Sequence, residues 1–172
     1  VRHLHALGHK RIAFLGGKRQ KRGSSKREQG YHDEMIALGL EENICVRRES
    51  GYLLEDGVIG IQKLLSEFEP PKRPTAVIAI NDLVAMGILR QLSSMGIDVP
   101  SDIAVVGCDN QFFTSYTNPP LTTIDLHISE LGRRAMNHLL HWEKGQNFHH
   151  VLATNLVVRE SCGVKLGRRD IP

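Results

Sequence analysis

The chain has 172 residues, 41% hydrophobic and 24% charged, an ordinary globular composition long enough to bury a core without a disulfide or metal staple. No apolar run approaches the ~18 residues of a membrane span, no secretion-type leader is visible, and three cysteines (Cys45, Cys108, Cys162) without CxxC spacing argue against a disulfide framework and for a reducing compartment. The net charge of +3 hides an asymmetry: residues 1–30 carry nine Lys/Arg against the single acid Glu28, which fits either a phosphate or nucleic acid partner or a solvated basic loop.

Residues 1–7 read as the end of a helix stopped by Gly8. Arg11–Leu15 is a short apolar run bounded by Gly16-Gly17, a buried strand, and Lys18–Ser25 is a polar loop. From Lys26 the pattern turns helical, with Tyr31, Met35 and Leu38 on one face and Gly39 at the end. Ile44–Arg47 is a weaker strand. Val58, Ile61, Leu64, Leu65 and Phe68 mark an amphipathic helix ended by Pro70-Pro71.

Thr75–Ile80 is a strong strand running into Asn81-Asp82, either of which suits a helix cap. The helix that follows carries Leu83, Met86, Leu89 and Leu92 and closes at Gly96. Ile103–Gly107 is the next strand, Cys108–Pro120 a long loop, and Thr122–Leu126 a short extended piece. Ser129 is expected to cap a helix over 129–144 containing Leu139, Leu140 and Trp142, and Val151–Val158 is a final strand.

Strands alternating with helices imply βαβ units and a doubly wound, mostly parallel α/β sheet. In such sheets ligands bind beyond the carboxyl ends of the strands. Those ends lead to Arg27, to Glu49-Ser50-Gly51-Tyr52, to Asn81-Asp82 and to Asp109-Asn110. A fork-shaped donor, an aromatic face, an amide and a carboxylate suit a small polyhydroxylated or nitrogenous ligand. Each has a plainer role: Arg27 on a solvated basic face, Tyr52 in packing, Asn81 as a cap, Asp109 in a turn.

No GxSxG, GxxxxGK[ST], HExxH or GxGxxG motif is present. His3, His5 and His9 have a spacing that fits surface histidines better than a metal site. Cys108 beside Asp109 has no histidine placed to activate it and reads as a small core residue. Gly57 and Gly60 inside a helical pattern mark close packing. Neither a catalytic set nor a cofactor is expected.

Five segments in order carry a resemblance: LGHKRIAFLGG (7–17), RPTAVIAINDLVAMGILRQL (73–92), GIDVPSDIAVVGCDN (96–110), PPLTTID (119–125) and LVVRES (156–161). Together they resemble the LacI/GalR (lactose-repressor/galactose-repressor) family of bacterial transcription regulators, from Val1 to about Cys162. The resemblance implies a periplasmic-binding-protein-like fold of type I, here mainly its C-terminal lobe with a crossing helix. It implies that residues 1–172 form part of the effector-binding domain, with the helix-turn-helix, the hinge and the first part of the N-terminal lobe lying outside this sequence.

By that resemblance the effector contacts fall on Arg27, which opens Arg27-Glu28-Gln29-Gly30-Tyr31, on Asn81, and on Asp109, with Tyr52 as the stacking aromatic. The sequence departs at GCDN, where Cys108 stands in place of the usual tyrosine. The expected protein is a cytoplasmic, homodimeric repressor without a cofactor or membrane contact. It would bind operator DNA through the missing N-terminal domain and respond to a sugar or, given the basic loop 18–26, a sugar phosphate, with a purine or nucleoside as the lesser choice. Ligand would shift the population between two dimer arrangements. A secreted solute-binding receptor shares the lobe architecture and is the alternative; an enzyme ranks third. The crossing helix would leave Leu139, Leu140 and Trp142 exposed or covered by another chain.

Overall fold

A computed structural model describes residues 1–17, 22–48, 51–142, 149 and 151–164, with residues 22–25 as backbone only. Lys18, Arg19, Lys21, Glu49, Ser50 and residues 143–144 of the sequence reading lie outside the described residues. The elements run α1 (Arg2–Ala6), β1 (Ile12–Gly16), α2 (Arg22–Ala37), β2 (Cys45–Arg48), α3 (Leu54–Ser66), β3 (Ala76–Ala79), α4 (Asp82–Ser94), β4 (Ala104–Val106), β5 (Thr123–Asp125), α5 (Ile128–Leu140) and β6 (Asn155–Val157).

Four strands form one parallel sheet in the order β2-β1-β3-β4. The chain steps from β1 outward to β2, then jumps back across β1 to β3. Right-handed crossovers therefore put α2 on one face and α3 with α4 on the other. The direction reverses between β1 and β3, and their carboxyl ends flank the crevice that such a reversal opens. β1, whose five residues are all buried, and β3 are covered on both faces, which is why their sequences are continuous apolar runs.

Two contacts lock the layers. On the first face, Tyr31 of α2 donates its hydroxyl to Ile12 O (2.7 Å) and accepts Cys45 N–H (2.9 Å), stitching the helix to β1 and β2. On the second, α3 and α4 touch through glycines: a Cβ on Gly57 would lie 2.1 Å from Val84 O, and one on Gly87 2.0 Å from Leu54 O. The close-packing reading of Gly57 holds for this reason, although its partner across the interface is Gly87.

Several boundaries differ from the sequence reading. α2 starts at Arg22 rather than Lys26, because Gly and Ser are tolerated in the first turn of a helix as well as in loops. α3 starts at Leu54, where Asp56 accepts Leu53 N–H at 2.9 Å and closes the first turn. Asn81, not Asp82, caps α4, accepting Val84 N–H at 2.9 Å. Ser129 lies inside α5: the turn is set earlier, by Asp125 accepting His127 N–H at 2.8 Å, and His127 adopts the left-handed conformation before the helix.

β6 is only three residues long, because its antiparallel partner β5 offers only three. This small second sheet carries the crossing segment. No residue of α5 is buried, and Leu139, Leu140 and Trp142 are 72%, 70% and 58% exposed, as expected; Trp142 falls just past the helix end.

Candidate functional site

Arg27 sits one helical turn before Tyr31, and its neighbour Glu28 is buried and paired by both carboxylate oxygens with Arg48 of β2. The anchored turn aims Arg27 at the sheet end. There its Nη1 donates to Ile80 O at 2.6 Å, while Nη2 stands 3.5 Å from Asp109 Oδ1. That second contact is a long, loose ion pair between half-buried groups.

Asp109 follows β4 with φ 121°, and Asn110 has φ 53°. Two successive left-handed residues reverse the chain here, a conformation Asp and Asn tolerate better than most residues. Burial raises the Asp109 carboxyl above its ordinary value; the Arg27 charge pulls it back and the Asp82 charge pushes it further up. Burial also pushes the Cys108 thiol up to about 11, so it is protonated at neutral pH and unsuited to nucleophilic work.

Asn81 engages both ends of its amide: Oδ1 in the cap, and Nδ2 donating to Tyr52 O at 2.9 Å. The bond ties the segment carrying Tyr52 to the end of β3. The Tyr52 ring lies on the backbone of Gly17, where a Cβ would come within 2.6 Å of it. The structure thus brings together Arg27 with Asp109, and Asn81 with Tyr52, all at the carboxyl ends of the strands.

A cavity of about 770 Å³ opens beside them. Arg27, Gly107, Cys108, Phe14, Tyr31 and Ile78 are among the residues that line it, whereas Tyr52, Asn81 and Asp109 do not. It is an apolar trough between α1 and the sheet, distinct from the polar crevice.

Sequence reasoning missed the groups that hold the turn in place. Asp82, fully buried, accepts the Thr123 hydroxyl at 2.6 Å and Gln111 N–H at 2.8 Å; burial raises its carboxyl despite these bonds. Arg159 donates to Thr114 Oγ1 (3.1 Å), Leu121 O (2.7 Å) and Asn110 Oδ1 (3.0 Å). Asn110 donates in turn to Asp125 Oδ2 at 3.2 Å. Asp82, Asp125 and Arg159 stand within the INDL, PPLTTID and LVVRES segments, so the signal was present without a role attached.

Two of the three N-terminal histidines have side-chain partners. His3 Nε2 lies 3.3 Å from Cys162 Sγ and His9 Nδ1 3.0 Å from Thr75 Oγ1. Among the described residues no cluster of three or more metal-ligating side chains occurs, and no helix is long and apolar enough to cross a membrane.

A family described as periplasmic binding protein-like domain matches residues 1–162. The chain is 34% identical over 157 residues to the ribose operon repressor of Haemophilus influenzae, covering 90% of this chain and 46% of that protein. It is 35% identical over 147 residues to the HTH-type transcriptional repressor CytR of Escherichia coli, covering 86% and 42%. The solved structure of the lac repressor dimer bound to operator and an anti-inducer matches with a TM-score of 0.84 at 31% identity, over 94% of this chain and 48% of that one. The chain spans about half the length of the curated relatives it matches, and these relatives are transcriptional regulators rather than enzymes. By sequence and by fold, the chain belongs to the periplasmic binding protein-like family, within its LacI/GalR group.

Proposed function

We propose that this chain is the effector-sensing part of a LacI-type transcriptional repressor, with a sugar or sugar phosphate as effector. The observation that carries the reading is the Arg27–Asp109 pair, 3.5 Å apart at the strand ends and loose enough for a ligand hydroxyl to enter. Arg27 donates to the ligand, Asp109 accepts from its hydroxyls, Asn81 offers the remaining capacity of its amide, and the Tyr52 ring covers an apolar ligand face.

The turn that presents Asp109 is bonded directly to the crossing segment. Asp109 N–H donates to Ile124 O at 2.9 Å, and Asn110 reaches Asp125, which fixes the start of α5. A ligand that draws Arg27 and Asp109 together therefore pulls on the root of α5, and its differential affinity shifts the population between two arrangements of the protein. The exposed face of α5 packs against a further part of the protein, corresponding to the other half of its relatives. Homodimerisation, operator binding through an N-terminal domain and a cytoplasmic location complete the reading. No catalytic step and no cofactor is assigned.

Calorimetric titration of the full-length protein with ribose, other aldoses, their phosphates and purine nucleosides tests it. One class should bind saturably and change operator affinity, and Asp109→Ala should weaken binding by about tenfold or more, the loss of a charged hydrogen bond. Failure of every class to bind, or binding indifferent to both Asp109→Ala and Arg27→Ala, overturns the reading.

A further inference from the structure

At the opposite end of the sheet from the crevice lies a second cavity of about 620 Å³, reached by the first residues of β1 and β2, Ile12 and Cys45. β1 has five residues, so roughly 15 Å of strand separates the two ends. The lining is strongly biased in charge: Arg11, Arg47 and Lys72 against the single acid Glu42, with Phe68 and Pro71 among its apolar walls.

These cations are held in place. Arg11 Nε donates to Arg73 O at 2.9 Å. The Arg47 guanidinium lies 5.9 Å from the Phe68 ring centroid, donates Nη1 to Val46 O at 3.1 Å and pairs through Nη2 with Glu67. Its third nitrogen, Nε, is buried and has no hydrogen-bond partner among the described residues. A buried donor left unmatched is a cost to the folded chain, and the Arg47 side chain that carries it lines the cavity. Lys72 is exposed at the rim, a mobile point charge that complements the fixed guanidinium forks.

We propose that this cavity is a second binding site, independent of the crevice, for a small amphipathic organic phosphate. With Glu67 set against Arg47, the lining keeps Arg11 and Lys72 against Glu42, an excess that favours an anion over a neutral molecule, and the Phe68 and Pro71 walls take the organic part. A neutral polyol gains nothing from the charge bias, and an inorganic ion leaves the apolar walls uncovered.

The test is calorimetric titration of the full-length protein with phenyl phosphate, with benzyl alcohol as the neutral control. Phenyl phosphate should bind saturably and at least about tenfold more tightly than benzyl alcohol, and Lys72→Glu, a surface change whose folding circular dichroism verifies, should weaken it about tenfold. Absence of saturation with the folded protein, equal affinity for the neutral control, or a Lys72→Glu variant that binds like the parent each overturns the proposal. Binding abolished by Arg27→Ala but kept in Lys72→Glu overturns it too, because the anion would then belong to the crevice.

Discussion

Replacing Asp82 by alanine separates the architecture of the turn from the ligand contacts, because Asp82 is fully buried beneath the turn. Its Oδ1 takes the Thr123 hydroxyl at 2.6 Å and its Oδ2 takes Gln111 N–H at 2.8 Å. Gly107 exists to admit it, since a Cβ there would sit 2.3 Å from Oδ1. Truncation leaves two donors without acceptors, at about 1–3 kcal/mol each, and removes an acid from the first turn of α4, worth about 0.3–1 kcal/mol. The burial that raises the Asp82 carboxyl shows that keeping the charge inside is itself unfavourable, which offsets part of the loss. The net expectation is about 2–5 kcal/mol of destabilisation, a large share of the ~5–15 kcal/mol of a whole domain. Thr123→Val removes the bond to Asp82 and the longer one from Asn110 N–H at 3.3 Å, and should cost about 1–3 kcal/mol. Urea denaturation of Asp82→Ala, Thr123→Val and the double variant measures all three. Additive losses, or an Asp82→Ala variant within about 0.5 kcal/mol of the parent, would refute the shared network.

Gly87→Ala would place a Cβ 2.0 Å from the Leu54 carbonyl oxygen, so α3 and α4 must part; a loss of about 1–3 kcal/mol is expected despite the ~1 kcal/mol that alanine gains over glycine in a helix, and a stabilised variant in thermal denaturation contradicts that contact. Burial raises the folded Asp109 carboxyl, against the pull of Arg27 and with Asp82 and Cys108 nearby; the folded chain therefore binds this proton more tightly than the unfolded one, and the Asp109 contribution to stability falls as pH rises from its ordinary value through the raised one. Asp109→Asn should then flatten the stability profile across that window and lose least against the parent at neutral pH, while weakening effector binding; a profile parallel to the parent's refutes the sign. Arg159→Met removes three hydrogen bonds and should cost about 2–4 kcal/mol and weaken effector binding without touching the ligand; unchanged affinity in calorimetry would separate the turn from the crevice.

The sheet was legible because β1 and β3 are buried on both faces, and RIAFL and TAVIAI advertise that burial as unbroken apolar runs. Helix ends were less legible where tertiary contacts choose them. Nothing local in HISE distinguishes Ser129 from His127 as the cap; the choice rests on Asp125, two residues earlier and itself held by Asn110. In the crevice the four candidate residues could be gathered from the strand-end rule, but their commitments could not. Asn81 was equally readable as cap or ligand contact, and the structure gives it the cap. Asp82 and Arg159 act through partners 41 and 49 residues away, a separation that pattern reading of a single sequence does not span.

What the crevice offers a ligand follows from how much hydrogen-bonding capacity remains after folding. Asn81 has spent one donor on Tyr52 O and one acceptor pair on the cap, and Arg27 has spent its short bond on Ile80 O. Asp109 is the least committed: its contact with Arg27 is 3.5 Å long, and burial without a close counter-charge is what raises its carboxyl. A ligand hydroxyl between the two relieves both deficits at once, supplying a donor to the carboxylate and an acceptor to the guanidinium. Because the Asp109 amide and the Asn110 side chain are bonded to β5, the group with most to gain from the ligand is also the group wired to the crossing helix. On the proposed reading, recognition and signalling meet in one two-residue turn, held from beneath by the buried Asp82–Thr123 bond.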